Sequence, residues 1–228
     1  MSLELEFQTV VVAGCASGVG KTSVAETVTG ILSGLCQTGA AKITVTHGDR
    51  GCPHGGKGCN VCSSLGGDYQ IVVKDSVILE PGTDTCRLKA AGGNPVVWAI
   101  TRDTALASAW HEMTAILANV DCVVVESNSL TTHISPSLTL MVVDASASRK
   151  IWKPSAERLI ASADYVIFNE RGSQIKRSRL LAEVELLRGS LNGVIRVGHP
   201  RELDQFADLM YRLKTTCLSR QVISDEDN

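Results

Sequence analysis

The segment of residues 14–23, GCASGVGKTS, carries the residue types that bind phosphate. Gly18 and Gly20 would let successive backbone N–H groups turn toward phosphate oxygens, at the start of a helix whose positive end attracts anions. Lys21 would reach the β- and γ-phosphates, and the Thr22 hydroxyl would coordinate Mg²⁺. The segment therefore predicts a nucleotide-binding loop made of Cys15, Ala16, Ser17, Gly18, Val19, Gly20, Lys21, Thr22 and Ser23.

One position departs from the standard phosphate-loop pattern G-x-x-x-x-G-K-[ST]. That pattern places its first glycine at position 15, where this chain has Cys15, and Gly14 stands one residue earlier. A glycine-rich turn that arose by chance is the alternative interpretation. We favour nucleotide binding, because an apolar run, the loop, a Lys-Thr pair and an amphipathic segment follow one another in the order that such a loop requires.

Three carboxylates follow apolar runs and could complete a Mg²⁺ site. Asp49 follows KITVTHG, Glu126 ends DCVVVE and Asp144 ends LTLMVVD. Open α/β sheets place their ligands at the carboxyl ends of strands, and Mg²⁺ takes oxygen ligands. We predict Lys21, Asp49 and Glu126 as catalytic residues, and Thr22, Asp49 and Glu126 as Mg²⁺ ligands. Asp144 is equally well explained as a polar residue that ends a strand.

A second group of candidate ligands lies in residues 47–67, which contain seven glycines and three cysteines. Two cysteines separated by two residues can bind one metal ion from a single turn, and thiolate and imidazole ligands suit Zn²⁺. An all-cysteine set would suit an iron–sulfur cluster. A redox pair or free thiols are the alternatives. The spacing predicts a Zn²⁺ or iron–sulfur site formed by Cys52, His54, Cys59 and Cys62.

Apolar, β-branched runs alternate with helical segments along the chain. Such alternation is typical of βαβ units, in which a parallel sheet is buried by helices on both faces. The predicted strands are 9–13, 42–46, 95–100, 121–126, 138–144, 164–169 and 193–198. The predicted helices are 21–36, 104–119, 154–162, 174–188 and 201–217. These patterns predict a doubly wound α/β fold.

The sequence predicts a single domain over residues 1–228. Residues 47–80 are predicted as an insertion, in which a cysteine-rich loop is followed by a hairpin that turns near Lys74 and Asp75. Residues 219–228 end in the acidic sequence SDEDN and are predicted to fray.

Composition and charge limit the cellular compartments and the classes of partner that we expect. A net charge of −2 gives no electrostatic reason to expect nucleic acid or an anionic membrane as the main partner. The sequence shows neither a cleavable leader nor an apolar run of roughly 18–20 residues, the length that crosses a bilayer. We therefore predict a cytoplasmic protein, where the reducing environment argues against pairing the eight cysteines as disulfides.

The segment of residues 80–103, EPGTDTCRLKAAGGNPVVWAITRD, resembles the molybdopterin-guanine-dinucleotide biosynthesis protein B family. That family has the pattern Asp-[Ser/Thr]-x-Arg-x-x-x-Ala-Gly before an apolar strand, and the lipid A tetraacyldisaccharide kinases carry a related pattern. The matching residues here are Asp84, Thr85, Arg87, Ala91 and Gly92. Over residues 8–130 the chain thus resembles the SIMIBI-like P-loop NTPases.

The resemblance implies a three-layer α/β/α P-loop NTPase fold with a mostly parallel sheet, Mg²⁺-dependent nucleotide binding and a homodimer. Members of the protein B family bind GTP and assist attachment of nucleotide to molybdopterin, whereas the kinases phosphorylate a sugar hydroxyl. The implied function is binding and hydrolysis of ATP or GTP, in molybdopterin cofactor biosynthesis. Two alternatives stay open: a small-molecule kinase, and a nucleotide-gated metallochaperone or adaptor that serves a partner protein. The cysteine cluster at 51–62 is not expected in either family.

The sequence leaves the base of the nucleotide open. Asn169 follows a predicted strand and is a candidate base contact. In the guanine-binding motif N-K-x-D the aspartate accepts two hydrogen bonds from guanine, and Gly172 occupies that position here. ATP and GTP are therefore both candidates.

Overall fold

The computed structural model describes residues 7–46 and 65–218. Five predicted site residues lie outside the described residues, as does the predicted tail at 219–228: Asp49, Cys52, His54, Cys59 and Cys62. The role of Asp49 at Mg²⁺ and the zinc or iron–sulfur site therefore stay predictions.

The described residues form one eight-stranded sheet. Its strands are β1 (Gln8–Gly14), β2 (Thr38–Thr46), β3 (Tyr69–Val72), β4 (Val96–Arg102), β5 (Cys122–Glu126), β6 (Leu138–Asp144), β7 (Tyr165–Asn169) and β8 (Val194–Val197). They lie in the order β3-β4-β2-β5-β1-β6-β7-β8. Every neighbouring pair is parallel except β3 with β4, which is antiparallel. Parallel neighbours require crossover connections, and helices supply most of them.

The helices of the described residues are α1 (Lys21–Ser33), α2 (Asp75–Ile78), α3 (Asp84–Ala90), α4 (Leu106–Ile116), α5 (Ala156–Ser162), α6 (Gln174–Arg188) and α7 (Ala207–Leu218). Short 3₁₀ helices occur at Asp103–Ala105, Leu130–Thr132, Arg149–Ile151 and Pro200–Gln205. In the part of the chain that the structure describes, none of these helices combines the length and hydrophobicity that crossing a membrane requires.

The central strand β1 shows how the layers form. Val10 and Val12 belong to one apolar cluster with Val28 of α1, whereas Val11 belongs to a second cluster with Met113 of α4. Successive side chains of a strand point to opposite faces, so the sheet is covered by helices on both sides. The three-layer α/β/α architecture with a mostly parallel sheet is thereby confirmed.

The seven predicted strands and five predicted helices occur in the predicted order, and their differences from the structure lie at their ends. The structure adds α2 and α3, which were not predicted, and β3, which was predicted only as part of a hairpin. β2 begins at Thr38 rather than at residue 42, because the buried residues Gly39, Ala40 and Ala41 are too small to give a strand signal. The predicted helix 201–217 is interrupted at Phe206, whose backbone is extended (φ −92°, ψ 97°).

The hairpin predicted within residues 47–80 is wrong. β3 pairs with β4 instead, with Tyr69 opposite Thr101, and the residues expected to return as a second strand form α2. Asp75 lies in the first turn of α2, where a negative charge suits the positive end of the helix. Residues 69–79 contain no glycine that a tight hairpin turn would use, and a helical turn needs none.

A disulfide joins two cysteines that the sequence predicted as separate thiols. Cys36, just after α1, pairs with Cys217 of α7, and their Cα atoms are 6.5 Å apart. The two residues are 181 positions apart in the chain, so their proximity follows only from the packing of α7 against α1.

Candidate nucleotide-binding site

The loop between β1 and α1 has the backbone of a phosphate cradle. Gly18 (φ 73°) and Gly20 (φ 102°) adopt the left-handed conformation that favours glycine. Gly20 is the N-cap of α1 and has no side chain of its own with which to cap the first N–H groups of this helix. Among the described residues of α1, the first turn holds no acidic side chain that would repel phosphate. These N–H groups at the positive helix end can bind an anion.

Gly14 takes the part that the standard pattern assigns to a glycine at position 15. A Cβ on Gly14 would lie 2.5 Å from Cγ of Lys21 and 2.8 Å from Cγ2 of Val19. Lys21 therefore crosses directly over Gly14, and its Nζ donates to the Ala16 carbonyl oxygen at 3.1 Å. The departure from the pattern is a shift of the glycine by one residue that leaves the path of the lysine open.

We expect Gly14→Ala to weaken triphosphate binding by about tenfold or more, because the added methyl group displaces Lys21. Overpacking against Val19 should also lower the free energy of unfolding by about 1–3 kcal/mol. Nucleotide titration and thermal melting measure the two effects. Gly67→Ala is the matched control, because a Cβ at Gly67 meets no atom within 4 Å. Unchanged affinity in Gly14→Ala would show that Lys21 does not need this path.

Cys15 and Ala16 contribute to the loop through their backbone. Both side chains are fully buried in the core. The Cys15 N–H donates to the Val142 carbonyl oxygen at 2.9 Å, which anchors the loop to β6. Burial raises the pKa of the Cys15 thiol to about 11, so the thiol stays protonated at neutral pH and is not a nucleophile.

Glu126 and Thr22 meet beside the loop. Parallel pairing sets Glu126, the last residue of β5, opposite Val12 of β1. Glu126 is 6% exposed, and its Oε2 accepts a 2.9 Å hydrogen bond from the Thr22 hydroxyl. A hydroxyl and a carboxylate are the oxygen ligands that Mg²⁺ prefers, so this pair fits a nucleotide-bound Mg²⁺. Such an ion would neutralise phosphate charge when bound.

Three lysines lie near enough to Glu126 to be affected by its charge: Lys21, Lys42 and Lys153, here called the lysine cluster. Lys42 of β2 is opposite Glu126 in the strand register, with Nζ 3.6 Å from Oε1, and it also ion-pairs with Asp84. Burial lowers the pKa of Lys21 and of Lys42, and the Glu126 carboxylate partly offsets both effects. The cluster concentrates positive charge in a partly buried site, as the binding of a polyphosphate requires.

Asn128 connects the start of the loop to the lysine cluster. Its Oδ1 accepts from the Gly14 N–H at 3.2 Å, and its Nδ2 donates to the Gly14 carbonyl oxygen at 2.8 Å. Nδ2 also donates to Ser155 Oγ at 3.3 Å, and Lys153 Nζ donates to Oδ1 at 3.4 Å. One amide therefore fixes the ends of β1 and β5 and the chain before α5 in a single arrangement.

An arginine contacts the loop from the β7 side. Arg171 ion-pairs with Asp144 and donates to the Gly18 carbonyl oxygen at 2.9 Å. Asp144 is 1% exposed, and its Oδ1 accepts from the Ser146 N–H at 2.7 Å. β1 separates β5 from β6, so Asp144 lies on the opposite side of the loop from Glu126. Asp144 thus holds Arg171 rather than completing the Thr22–Glu126 pair.

Asn169 also contacts the loop from the end of β7. It is 4% exposed, and its Nδ2 donates to the Val19 carbonyl oxygen at 3.4 Å. Within the described residues its Oδ1 has no hydrogen-bond partner. The side chain therefore supports the loop and retains one free acceptor, and its contact with a base stays a prediction.

Residues of the 80–103 segment pack α3 against α1, next to the candidate nucleotide-binding loop. Arg87 donates to the hydroxyl of Ser23, which follows the Lys-Thr pair, at 2.9 Å. Asp84 holds Lys42 through the ion pair already described. The segment thus positions α1 and Lys42, a role that any nucleotide-dependent reaction could use.

The predicted site did not include Lys42, Asn128, Lys153 or Arg171. Lys42 carried a signal, because a lysine in a strand that is buried on both faces is unusual and needs a partner. Asn128 follows Glu126 by two residues, in the part of the chain where ligands gather. Lys153 and Arg171 reach the loop from connections after β6 and β7, and only the tertiary fold reveals them.

The described residues do not form a metal site of their own. In residues 7–46 and 65–218, no group of three or more His, Cys, Asp or Glu side chains is placed to hold a metal ion. The predicted ligands Cys52, His54, Cys59 and Cys62 belong to the undescribed part of the chain.

No protein-family model and no curated protein matches the chain. Among solved structures it is similar to a chain of the MinC:MinD cell division protein complex of Aquifex aeolicus, with 15% identity and a TM-score of 0.43, over 95% of this chain and 96% of that one. It is also similar to a ParA family ATPase from Chlorobium tepidum TLS, with 12% identity and a TM-score of 0.43, over 93% of this chain and 91% of that one. The three-layer α/β/α fold follows from the sheet order and strand pairing of this chain itself.

Proposed function

We propose that this chain binds a Mg²⁺–nucleoside triphosphate and hydrolyses its terminal phosphate. The observation that carries the proposal is the 2.9 Å hydrogen bond between Thr22 and Glu126, next to Lys21 and a loop shaped by Gly14, Gly18 and Gly20. It joins a metal-binding hydroxyl, a strand-end carboxylate and a phosphate-binding lysine at one end of the sheet.

Binding would use the backbone and Lys21. The loop and the first turn of α1 offer N–H groups to the phosphates, and Lys21 exchanges its contact with the Ala16 carbonyl for phosphate oxygens. The same anion would relieve the cost of burying the ammonium groups of the lysine cluster. Thr22 and Glu126 would hold the Mg²⁺ that accompanies the nucleotide.

Hydrolysis requires a water molecule in line with the scissile bond. The water oxygen bonds to the γ-phosphorus while the bond to the β–γ bridging oxygen breaks, giving nucleoside diphosphate and inorganic phosphate and releasing a proton. The two carboxylate oxygens of Glu126 face different partners, Thr22 and Lys42. One oxygen can therefore act with Thr22 at the Mg²⁺ site while the other orients the water.

We also make proposals about the base of the nucleotide, the pathway and the oligomeric state. ATP and GTP are both candidates. The acceptor that we assign to the base is Oδ1 of Asn169, which has no hydrogen-bond partner in the part of the chain that the structure describes. The resemblance of residues 80–103 to the protein B family supports a role in molybdopterin cofactor biosynthesis and a homodimer. Comparison of ATP with GTP binding and measurement of the molar mass in solution test these points.

A small-molecule kinase is the second candidate. The observation in its favour is Asp84, whose side chain is 36% exposed and pairs with Lys42 near Glu126. An acceptor hydroxyl could reach this carboxylate, which would take its proton as the hydroxyl oxygen attacks the γ-phosphorus.

Phosphate release separates the two candidates. The purified chain, incubated with Mg²⁺ and ATP or GTP, should release inorganic phosphate without any acceptor. Release that is undetectable alone, with nucleotide consumed only after a hydroxyl compound is added, would replace hydrolysis by the kinase function.

A further inference from the structure

Lys153 reaches the nucleotide loop from the connection between β6 and α5. Its backbone N–H donates to the Cys15 carbonyl oxygen at 2.7 Å, which fixes this connection against the start of the loop. Its Nζ donates to Oδ1 of Asn128, which is itself hydrogen-bonded in both directions to Gly14. Backbone and side chain together therefore hold the ammonium group at the first residues of the loop.

The charge of Lys153 is only partly offset by the carboxylates of the described residues, among which Glu126 is near enough to raise its pKa. Lys42 pairs with Asp84, whereas no carboxylate of residues 7–46 and 65–218 forms an ion pair with Lys153. Burial, and then the positive charge of Lys21, lowers the pKa of Lys153 to about 8. A partly buried ammonium group beside two other lysines is costly by itself, and a bound anion would remove that cost.

The position of Lys153 points to one particular phosphate. In a phosphate loop the backbone cradles the α- and β-phosphates, and the lysine reaches the β- and γ-phosphates. Here Nζ of Lys21 lies at Ala16, near the start of the loop, and the Thr22–Glu126 pair also lies beside this loop. The terminal phosphate therefore belongs at the loop start, where Lys153 is anchored.

We propose that Lys153 binds the terminal phosphate directly, so that the site distinguishes a nucleoside triphosphate from its diphosphate. This inference rests on the proposed function and adds a ligand from outside the loop. The chemical group recognised is the γ-phosphate, whose oxygens can accept a hydrogen bond from the ammonium group. A nucleoside diphosphate has no phosphate at this position.

Lys153→Met tests the inference, because methionine keeps an unbranched apolar stem and removes the charge. Calorimetric titration with Mg²⁺ compares the imidodiphosphate analogues of ATP and GTP with ADP and GDP. We expect the variant to bind the better analogue about 10- to 100-fold more weakly than the wild type does. Its affinity for the matching diphosphate should stay within about threefold. Lys153→Arg should retain a preference for triphosphate, and Lys150→Met, exposed on the same connection, should change neither affinity.

The outcomes separate the inference from the function on which it rests. If the wild type binds nucleotide and Lys153→Met weakens both ligands equally, or neither, the assignment to the terminal phosphate is overturned. If the wild type binds no nucleotide, the proposed function and the inference both fail. Melting without nucleotide supplies an independent readout. Removal of one of three neighbouring ammonium groups should leave the melting temperature unchanged or raise it. A lower melting temperature, together with equal losses of affinity for the triphosphate analogue and the diphosphate, would show that Lys153 has a structural role.

Discussion

Lys21→Ala is expected to weaken binding of ATP and GTP by about 100-fold. The absence of a Cβ at Gly14 keeps the path of this lysine open, and its Nζ donates a hydrogen bond to the Ala16 carbonyl oxygen. Charge-assisted hydrogen bonds to phosphate would replace that contact. Calorimetric titration in the presence of Mg²⁺ measures the change.

The fold of Lys21→Ala should be preserved. Burial lowers the pKa of Lys21, so its charged form costs stability at neutral pH, and removal of the group should not lower the melting temperature. Lys214→Ala, an exposed lysine of α7, is the matched control and should bind nucleotide as the wild type does. Wild-type affinity in Lys21→Ala would refute the role of the loop as a phosphate cradle.

Glu126→Gln is expected to reduce Mg²⁺-dependent hydrolysis by about 100-fold or more while nucleotide still binds. Glutamine keeps the shape and an oxygen that can accept from Thr22, but it removes the charge that holds Mg²⁺ and orients water. Removal of a negative charge near the phosphates should leave the affinity for metal-free nucleotide unchanged or raise it. Single-turnover phosphate release and titration measure the two quantities separately.

The control for Glu126→Gln is Glu80→Gln, an exposed carboxylate between α2 and α3 that should have no effect. In the absence of nucleotide, Glu126→Gln should melt at a lower temperature than the wild type, because the lysine cluster then faces an uncharged amide. Hydrolysis at the wild-type rate would exclude Glu126 from the chemistry.

Local patterns were sufficient to predict the architecture and half of the candidate site. Buried strands of a parallel sheet are apolar on both faces, so the runs around Val10 and Val123 were visible in the sequence. Glu126 could be predicted because it ends such a run, and parallel strands bring their carboxyl ends to one edge. Lys21 and Thr22 could be predicted because their spacing from the glycines is fixed by the geometry of phosphate binding.

The remainder depends on contacts between distant parts of the chain. Gly14 replaces the expected glycine because of the route that the Lys21 side chain takes, which no motif records. Arg171 contacts the loop only because β7 lies two strands from β1. The hairpin was mispredicted because β3 pairs with β4, which is distant in sequence. In addition, the four residues of α2 are too few for their pattern to distinguish a helix from a strand.

Nucleotide binding is tested most directly by an equilibrium titration of the wild-type chain with ATP and with GTP in the presence of Mg²⁺. The geometry of the loop, Lys21 and the Thr22–Glu126 pair predicts that at least one of them binds at one site per chain, with a dissociation constant below about 100 μM. Absence of binding by both nucleotides at millimolar concentration would contradict it.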